Sequence, residues 1–315
     1  MPDWFYWPFR YGYLGVDFFF VLSGFIIYYV NHARVDDPNF GFKYSQSRLI
    51  RIYVPYLPVI IAYIVAYLTI SRGNEGADNW GWITSLTLLP ADGRPALGPA
   101  WTLQHELIFY FFALMCFQVR SFMWPAILLV ALFAVVGQIE TGGLLPLGWI
   151  DLEFLFGIFA AWCFVNGKLN KPAVLMSVGL MLMVVHFFFS GPYVRIIFGL
   201  GIACWLLPIV RWEAQGRIKI GRTLMLLGNA SYAIYLTHYP IVKELPRRVD
   251  VSQPYLLAIA LMAVCIVIGI AYHKMFEAPA IRVVKGWTDR LHETFRESEN
   301  RHNDRGAGRG GEKGA

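Results

Sequence analysis

Long apolar runs separated by short polar stretches dominate the chain. They fall at 13–31, 52–70, 101–118, 123–139, 144–165, 173–189, 193–210, 225–242 and 255–273. Each holds about 20 residues, the length that crosses about 30 Å of hydrocarbon as a helix. A closed β-barrel is the other spanning solution. It requires short alternating strands, and these runs are continuous. The pattern predicts an all-α, polytopic membrane helix bundle with nine transmembrane helices.

Composition agrees. Hydrophobic residues make up 57% of the chain and charged residues 15%, with a mean hydropathy of +0.49. A soluble domain runs at about 45–50% apolar and about 25% charged. Cys116, Cys163, Cys204 and Cys265 all lie inside apolar runs, where they read as small buried hydrophobes. The end of the chain changes character. "RESENRHNDRGAGRGGEKGA" is charged and Gly-rich and has too little apolar surface for a core. The expected division is a membrane domain over 1–285 and a disordered tail over 286–315.

Charge placement orients the runs. Alternate linkers carry Arg34, Lys43, Arg48, Arg51, Arg120, Lys168, Lys171, Arg211, Arg217, Lys219 and Arg222. The opposite side carries Arg10, Arg72, Arg94, Arg195, Lys243, Arg247 and Arg248. The richer side is expected to be cytoplasmic, together with the C-terminal tail. The overall charge of +6 then fits contact with anionic lipid and not with nucleic acid. This orientation puts Met1 outside. A helix ahead of residue 12 would restore a cytoplasmic start, so the expectation is a chain lacking its first transmembrane helix.

Ionisable residues inside spans carry the information about function, because lipid penalises them. Asp17 opens the first run. In "WTLQHELIFY" Thr102, Glu106 and Tyr110 share a helix face at i, i+4 and i+8, with His105 beside Glu106. In "NASYAIYLTHYPIV" Ser231, Tyr235 and His238 share another, ahead of Pro240, read as a helix breaker. Asp17, Glu106 and His238 come to one level near the outer side, which predicts a polar cavity suited to acid–base work. On the inner side "RLIRIYVPY" sets Arg48 and Arg51 one turn apart, a pair suited to phosphate. "HKMFEAPAIR" adds His273, Lys274, Glu277 and Arg282. Glu277 is expected to pair with an arginine, and Pro279 to end the helix. His186 reads as a satisfied core histidine. No metal-ligand cluster, Walker loop or nucleophile elbow is present in the sequence.

Five segments, "GVDFFFVLSGF", "RLIRIYVPY", "WTLQHELIFYFF", "SYAIYLTHYP" and "FEAPAIR", resemble in order and spacing those of the acyltransferase 3 family. The likeness covers residue 12 to about residue 282, and the "WTL..E..FY" form is most like the exopolysaccharide-type acetyltransferases. The resemblance implies a ten-helix bundle of the bacterial inner membrane with both termini cytoplasmic. It implies transfer of an acyl group, usually acetyl, from acyl-coenzyme A to a sugar hydroxyl of a free or lipid-linked carbohydrate. Acyl-coenzyme A is then a co-substrate, and no bound cofactor is expected. The family's first helix carries a basic residue and a catalytic histidine. Neither His105 nor His238 occupies that position.

On this reading Asp17, Glu106 and His238 are the candidate catalytic residues. Arg48, Arg51, Ser23, Trp101, Tyr110, Tyr235 and Glu277 are the candidate binding residues. Ser23-Gly24 is also expected to let a neighbouring helix approach closely. Two alternatives stand beside it. One is an inactive homologue. The other is a flippase for polyprenyl-linked sugars, which would show two related halves or broken helices; neither feature is seen in the sequence.

Overall fold

A computed structural model describes residues 11–70, 80–118, 127–128, 131–132, 150–189, 191–246 and 254–291. Among them the elements are helical: α1 (Leu14–Asn31), α2 (Phe40–Ile70), α3 (Trp82–Thr87), α4 (Ala100–Gln118), α5 (Asp151–Val165), α6 (Pro172–Phe188), α7 (Pro192–Ala214), α8 (Arg222–Glu244) and α9 (Pro254–Tyr272). The helix of α9 continues through a π turn, His273–Glu277, to Leu291. Five helices among the described residues are long and apolar enough to cross a membrane: Leu14–Asn31, Phe40–Thr69, Ala100–Gln118, Val194–Ala214 and Tyr255–Leu291. Helix α6 is apolar but shorter. The expected span at 123–139 lies, apart from four residues, outside the described part.

The helices follow the expected apolar runs, since a helix satisfies its own backbone where no water can. Three boundaries differ from expectation. Helix α2 begins at Phe40, well before residue 52. Pro240 sits inside α8 and does not end it. Pro279 likewise does not end α9, because the π turn before it has already displaced the hydrogen-bond ladder. Ala278 N–H reaches His273 O there, so the donor that proline lacks falls at a turn already rearranged. The helix therefore passes the expected tail boundary at 285 and continues to Leu291.

The described residues form two compact units. The first comprises those within Met1–Ser45 and Gly76–Met225, the second those within Gln46–Glu75 and Leu226–Ala315. In the first, α1 and α5 cross at small residues. A Cβ on Gly157 would stand 2.7 Å from the Phe25 nitrogen and 3.0 Å from the Gly24 Cα. A Cβ on Gly24 would in turn run into the Phe154 backbone. This is the close approach expected at Ser23-Gly24, and it brings the two backbones within van der Waals reach. Around the crossing, Phe109 stacks on Phe154 at 4.0 Å and Phe20 packs against it at 4.5 Å.

In the second unit Ile52, Tyr56 and Ile60 of α2, and Ala230, Ala233 and Leu236 of α8, are buried. Tyr232 donates to Ile52 O at 3.1 Å and Tyr272 to Pro55 O at 2.8 Å. Helix α9 shows Leu256, Ile259, Met262 and Val267 on its outside. Only 11% of its apolar window is buried, as suits a helix with a face for lipid.

Candidate functional site

The first unit gathers its polar side chains at the end where α1, α5 and α7 begin. Asp17 lies one turn into α1, is 0% exposed and takes an ion pair from Arg195 of α7. The Arg195 guanidinium also lies 5.3 Å over the Tyr13 ring. The expected open cavity at Asp17 is thus corrected. The carboxylate is sealed, because a cation reaches it from the next helix. Arg195, counted in the sequence only among the outer-side linker cations, is part of this interior.

Glu153, on α5, is also 0% exposed and acts electrostatically on Asp17, Arg195 and Asp151. It fits because residue 199 is glycine. A Cβ there would stand 2.7 Å from Glu153 Cγ. Neither Glu153 oxygen has a hydrogen-bond partner among the described residues, nor does Asp17 Oδ2. Such orphaned buried acceptors are rare and mark a place under functional or structural demand.

His105 of α4 donates from Nδ1 to Asp151 at the start of α5, with Nδ1 3.1 Å from Oδ1 and 3.2 Å from Oδ2. Trp101 presents its ring edge-on to His105 at 5.6 Å. About two turns below Asp17, Ser23 donates to Glu106 Oε1 at 3.0 Å. Tyr110 donates to the same oxygen. The expected Glu106–Tyr110 face is therefore real, and Ser23 of another motif segment joins it. Thr102 turns away instead, to Pro99 O at 2.9 Å. His186 Nε2 lies 3.0 Å from Tyr13 Oη, and the ring is buried.

The second unit holds the remaining candidates. Arg48 is half-buried and Arg51 exposed on α2, just ahead of its apolar part. His238 donates from Nδ1 to Tyr235 O at 2.6 Å and packs on the Tyr235 ring. Glu277 is buried and accepts from His273 Nδ1 at 2.7 Å. Its expected arginine partner is replaced by a histidine four residues away, which shares its helix face.

Ser23, Glu106 and Tyr110 are thus brought together, and Asp17 and Trp101 belong to the same unit. Arg48, Arg51, Tyr235, His238 and Glu277 belong to the other. Sequence reasoning missed Arg195, Asp151 and Glu153. The last two stand in "DLEF", inside an apolar run, and the rule that singled out Asp17 and Glu106 applies equally to them.

A family described as an acyltransferase domain, Acyl_transf_3, matches residues 2–274. Exopolysaccharide production protein ExoZ of Rhizobium meliloti is 26% identical over 292 residues, covering 87% of this chain and 91% of that protein. Acyltransferase MdmB of Streptomyces mycarofaciens is 25% identical over 325 residues, covering 87% and 82%. Peptidoglycan O-acetyltransferase OatA of Listeria monocytogenes is 25% identical over 344 residues. It matches 89% of this chain and 54% of its own length. No solved structure matches. A family match over 2–274 of 315 residues, with the motif segments in place on an apolar helix bundle, makes this protein a member of the acyltransferase 3 family.

Proposed function

We propose that this protein transfers an acyl group, acetyl in the first place, from cytoplasmic acyl-coenzyme A to a hydroxyl of a cell-surface carbohydrate, free or lipid-linked. On this reading it is a multi-pass protein of the bacterial inner membrane with its C-terminus in the cytoplasm. The observation that carries the proposal is the Ser23–Glu106–Tyr110 network. It joins two motif segments of an acyltransferase family at a carboxylate inside an apolar bundle. The names of ExoZ and OatA point to exopolysaccharide and peptidoglycan as the chemical class of acceptor.

The reaction needs a hydroxyl oxygen to attack a thioester carbonyl, a base to take its proton, and donors to steady the oxyanion. Ser23 and Tyr110 both reach Glu106 Oε1. This leaves Oε2 to accept from a substrate hydroxyl and orient it. Trp101, partly exposed at the start of α4, gives the acceptor an apolar wall. On the same reading His238 and Tyr235 of α8, in the second unit, are proposed as acid–base and hydroxyl-binding groups. Arg48 and Arg51 hold coenzyme phosphates, a task suited to paired guanidiniums. Asp17, sealed by Arg195, fixes the charge balance beside the acceptor site.

The test uses membranes containing the full chain, supplied with radiolabelled acetyl-coenzyme A and an exopolysaccharide acceptor. The expected result is acceptor-dependent thiol release with label in the carbohydrate. In the double variant R48Q/R51Q the KM for acetyl-coenzyme A should rise at least tenfold. Neither thiol release nor label from the intact protein would overturn the proposal.

A further inference from the structure

We propose that the apolar face of α3 is seated in lipid, so that residues 82–89 form an interfacial anchor on the bilayer surface at the end where α4 begins. The inference rests on the membrane helix bundle and not on the acyl-transfer reading.

The segment is built inside out. Trp82, Ile83 and Leu86 fall on one face of α3 and are 51%, 56% and 40% exposed. Leu89, just past the end of the helix, is 60% exposed. The other face carries Thr84 and Ser85, both 0% exposed. A helix on a water-facing surface does the reverse, hiding its apolar stripe and showing its polar one. At the boundary between headgroups and acyl chains an outward apolar face is the favourable arrangement.

The hydroxyls of the segment are occupied within it. Thr84 Oγ1 accepts the N–H groups of Ala91 and Asp92 at 3.1 and 3.2 Å. Ser85 donates to Gly81 O and accepts the Ala96 N–H at 2.9 Å. Thr87 donates to Ile83 O at 2.6 Å. Residues 82–89 carry no charged side chain. The outward face therefore offers little to a hydroxyl-rich ligand. It offers instead three aliphatic side chains and a tryptophan, the residue enriched where a protein meets the membrane surface. The charges of the loop follow at Asp92 and Arg94, which are exposed and give it a side for water.

A second observation fixes the depth. Gln104 of α4 donates from Nε2 to Leu88 O at 3.1 Å, and Leu88 closes α3. Helix α4 has 19 residues, about 28 Å at about 1.5 Å per residue. It needs all of that length to cross about 30 Å of hydrocarbon. Its first turn therefore stands at the membrane surface, and a carbonyl bonded to Gln104 stands there with it. Side chains of α3 exposed at this level meet headgroups and the upper acyl chains. The same bond ties the anchor to the turn that carries Trp101 and leads into Glu106, so the seat of α3 sets how deep those two residues lie.

Lipid, water and a covering surface give different signals at this face. The full chain is placed in phosphatidylcholine–phosphatidylglycerol vesicles, with Cys116, Cys163, Cys204 and Cys265 replaced by alanine. A nitroxide label is attached in turn to the variants I83C, L86C and A91C. The ratio of collisions with oxygen, which concentrates in lipid, to collisions with a water-soluble nickel chelate should be at least about threefold higher at positions 83 and 86 than at 91. Equal ratios at the three positions overturn the proposal, since the face then meets water. Labels at 83 and 86 shielded from both reagents also overturn it, since a second copy of the chain or another ligand then covers the face. Should the cysteine-free background fold poorly, the unmodified chain decides. A photoreactive probe confined to the lipid of the same vesicles, read by mass spectrometry, should mark the peptide holding residues 82–89. That peptide left unmarked while α9 is marked overturns the proposal. A wild-type protein that transfers no acyl group overturns only the earlier reading, and the labelling result stands apart from it.

Discussion

The two units satisfy polar groups inside apolar helix bundles by different means. The first ties side chain to side chain across helices: Asp17 to Arg195, His105 to Asp151, and Ser23 and Tyr110 to Glu106. The second, apart from the His273–Glu277 pair within one helix, ties its side chains mainly to main-chain carbonyls. Tyr232 reaches Ile52 O, Tyr272 reaches Pro55 O, His238 reaches Tyr235 O, and Thr237 reaches Ala233 O. A carbonyl is present whatever residue carries it, so each of these bonds depends on one side chain. A bond between two side chains depends on both, and here one or both are charged. Loss of a partner in the first unit strands a buried charge. Loss of a hydroxyl in the second leaves a carbonyl that still has its helix.

The sharpest test of that difference is Arg195→Leu set against Tyr232→Phe. Removing Arg195 leaves the wholly buried Asp17 without its cation. Breaking a buried pair in this way costs about 3–5 kcal/mol. Arg195 is itself 32% exposed, so the lower end of that range is expected. Tyr232→Phe removes one neutral hydrogen bond, at about 1 kcal/mol. Thermal unfolding of both variants in the same detergent measures the gap. Losses within 1 kcal/mol of each other would erase the distinction between the units.

Packing gives the second test. Gly157 of the first unit faces the backbone of α1, with Phe25 N 2.7 Å and Gly24 Cα 3.0 Å from where a Cβ would stand. Backbone atoms yield little, so Gly157→Ala should destabilise by about 1–3 kcal/mol. Gly228 on α8 of the second unit has nothing within 4 Å of the same position. There Gly228→Ala should be neutral or stabilise by up to about 1 kcal/mol, through the better helix propensity of alanine. The same unfolding measurement reads both, and equal losses would mean that α1 and α5 can separate at little cost.

What the sequence made legible follows from the same physics. Lipid-scale apolar runs located the helices, and the rule against charge in a span picked out Asp17 and Glu106. Helix periodicity joined Glu106 to Tyr110, because residues i and i+4 are neighbours on any helix. It could not join Ser23 to Glu106 or Asp17 to Arg195. Those pairs depend on which helices lie side by side, and local sequence carries no record of that. Arg195 was counted only as a linker cation, because a cation near the end of an apolar run suits a linker as well as a buried partner. Pro240 and Pro279 were misread because a missing donor breaks a helix only where nothing else absorbs the loss. A π turn does so before Pro279.

A smaller effect is expected at Tyr110. Tyr110→Phe removes one of two donors to Glu106 Oε1 and leaves Ser23 in place at 3.0 Å. The cost is about 1 kcal/mol in stability. Under the acyl-transfer reading, the KM for the acceptor should rise more than the KM for acetyl-coenzyme A. Steady-state kinetics with each substrate varied in turn measures this. A change confined to the coenzyme side would detach the network from acceptor binding.

The smallest effect lies in the first unit outside the helix bundle. Asp92 folds back on the start of α3, where its carboxylate accepts the N–H groups of Ile83 and Thr84 at 2.9 Å each. These bonds, the Thr84 N–H foremost, hold its carboxyl below the usual aspartate range. Because the folded value lies below the unfolded value of about 3.9, the stabilisation is complete above that pH. It is lost as pH falls through the lower folded value. Amide exchange at Ile83 and Thr84 should therefore speed up only in acid, and in Asp92→Asn it should lose that dependence. Bulk unfolding should not register either change, since the carboxylate is open to water and caps a six-residue helix. This carboxylate, like Asp17, is held by donors from elsewhere in the unit, but its donors are backbone amides and its surroundings are water. Exchange at Ile83 unchanged by acid would show that the segment is held by Thr84 Oγ1, which accepts the Ala91 and Asp92 N–H groups, and not by the charge.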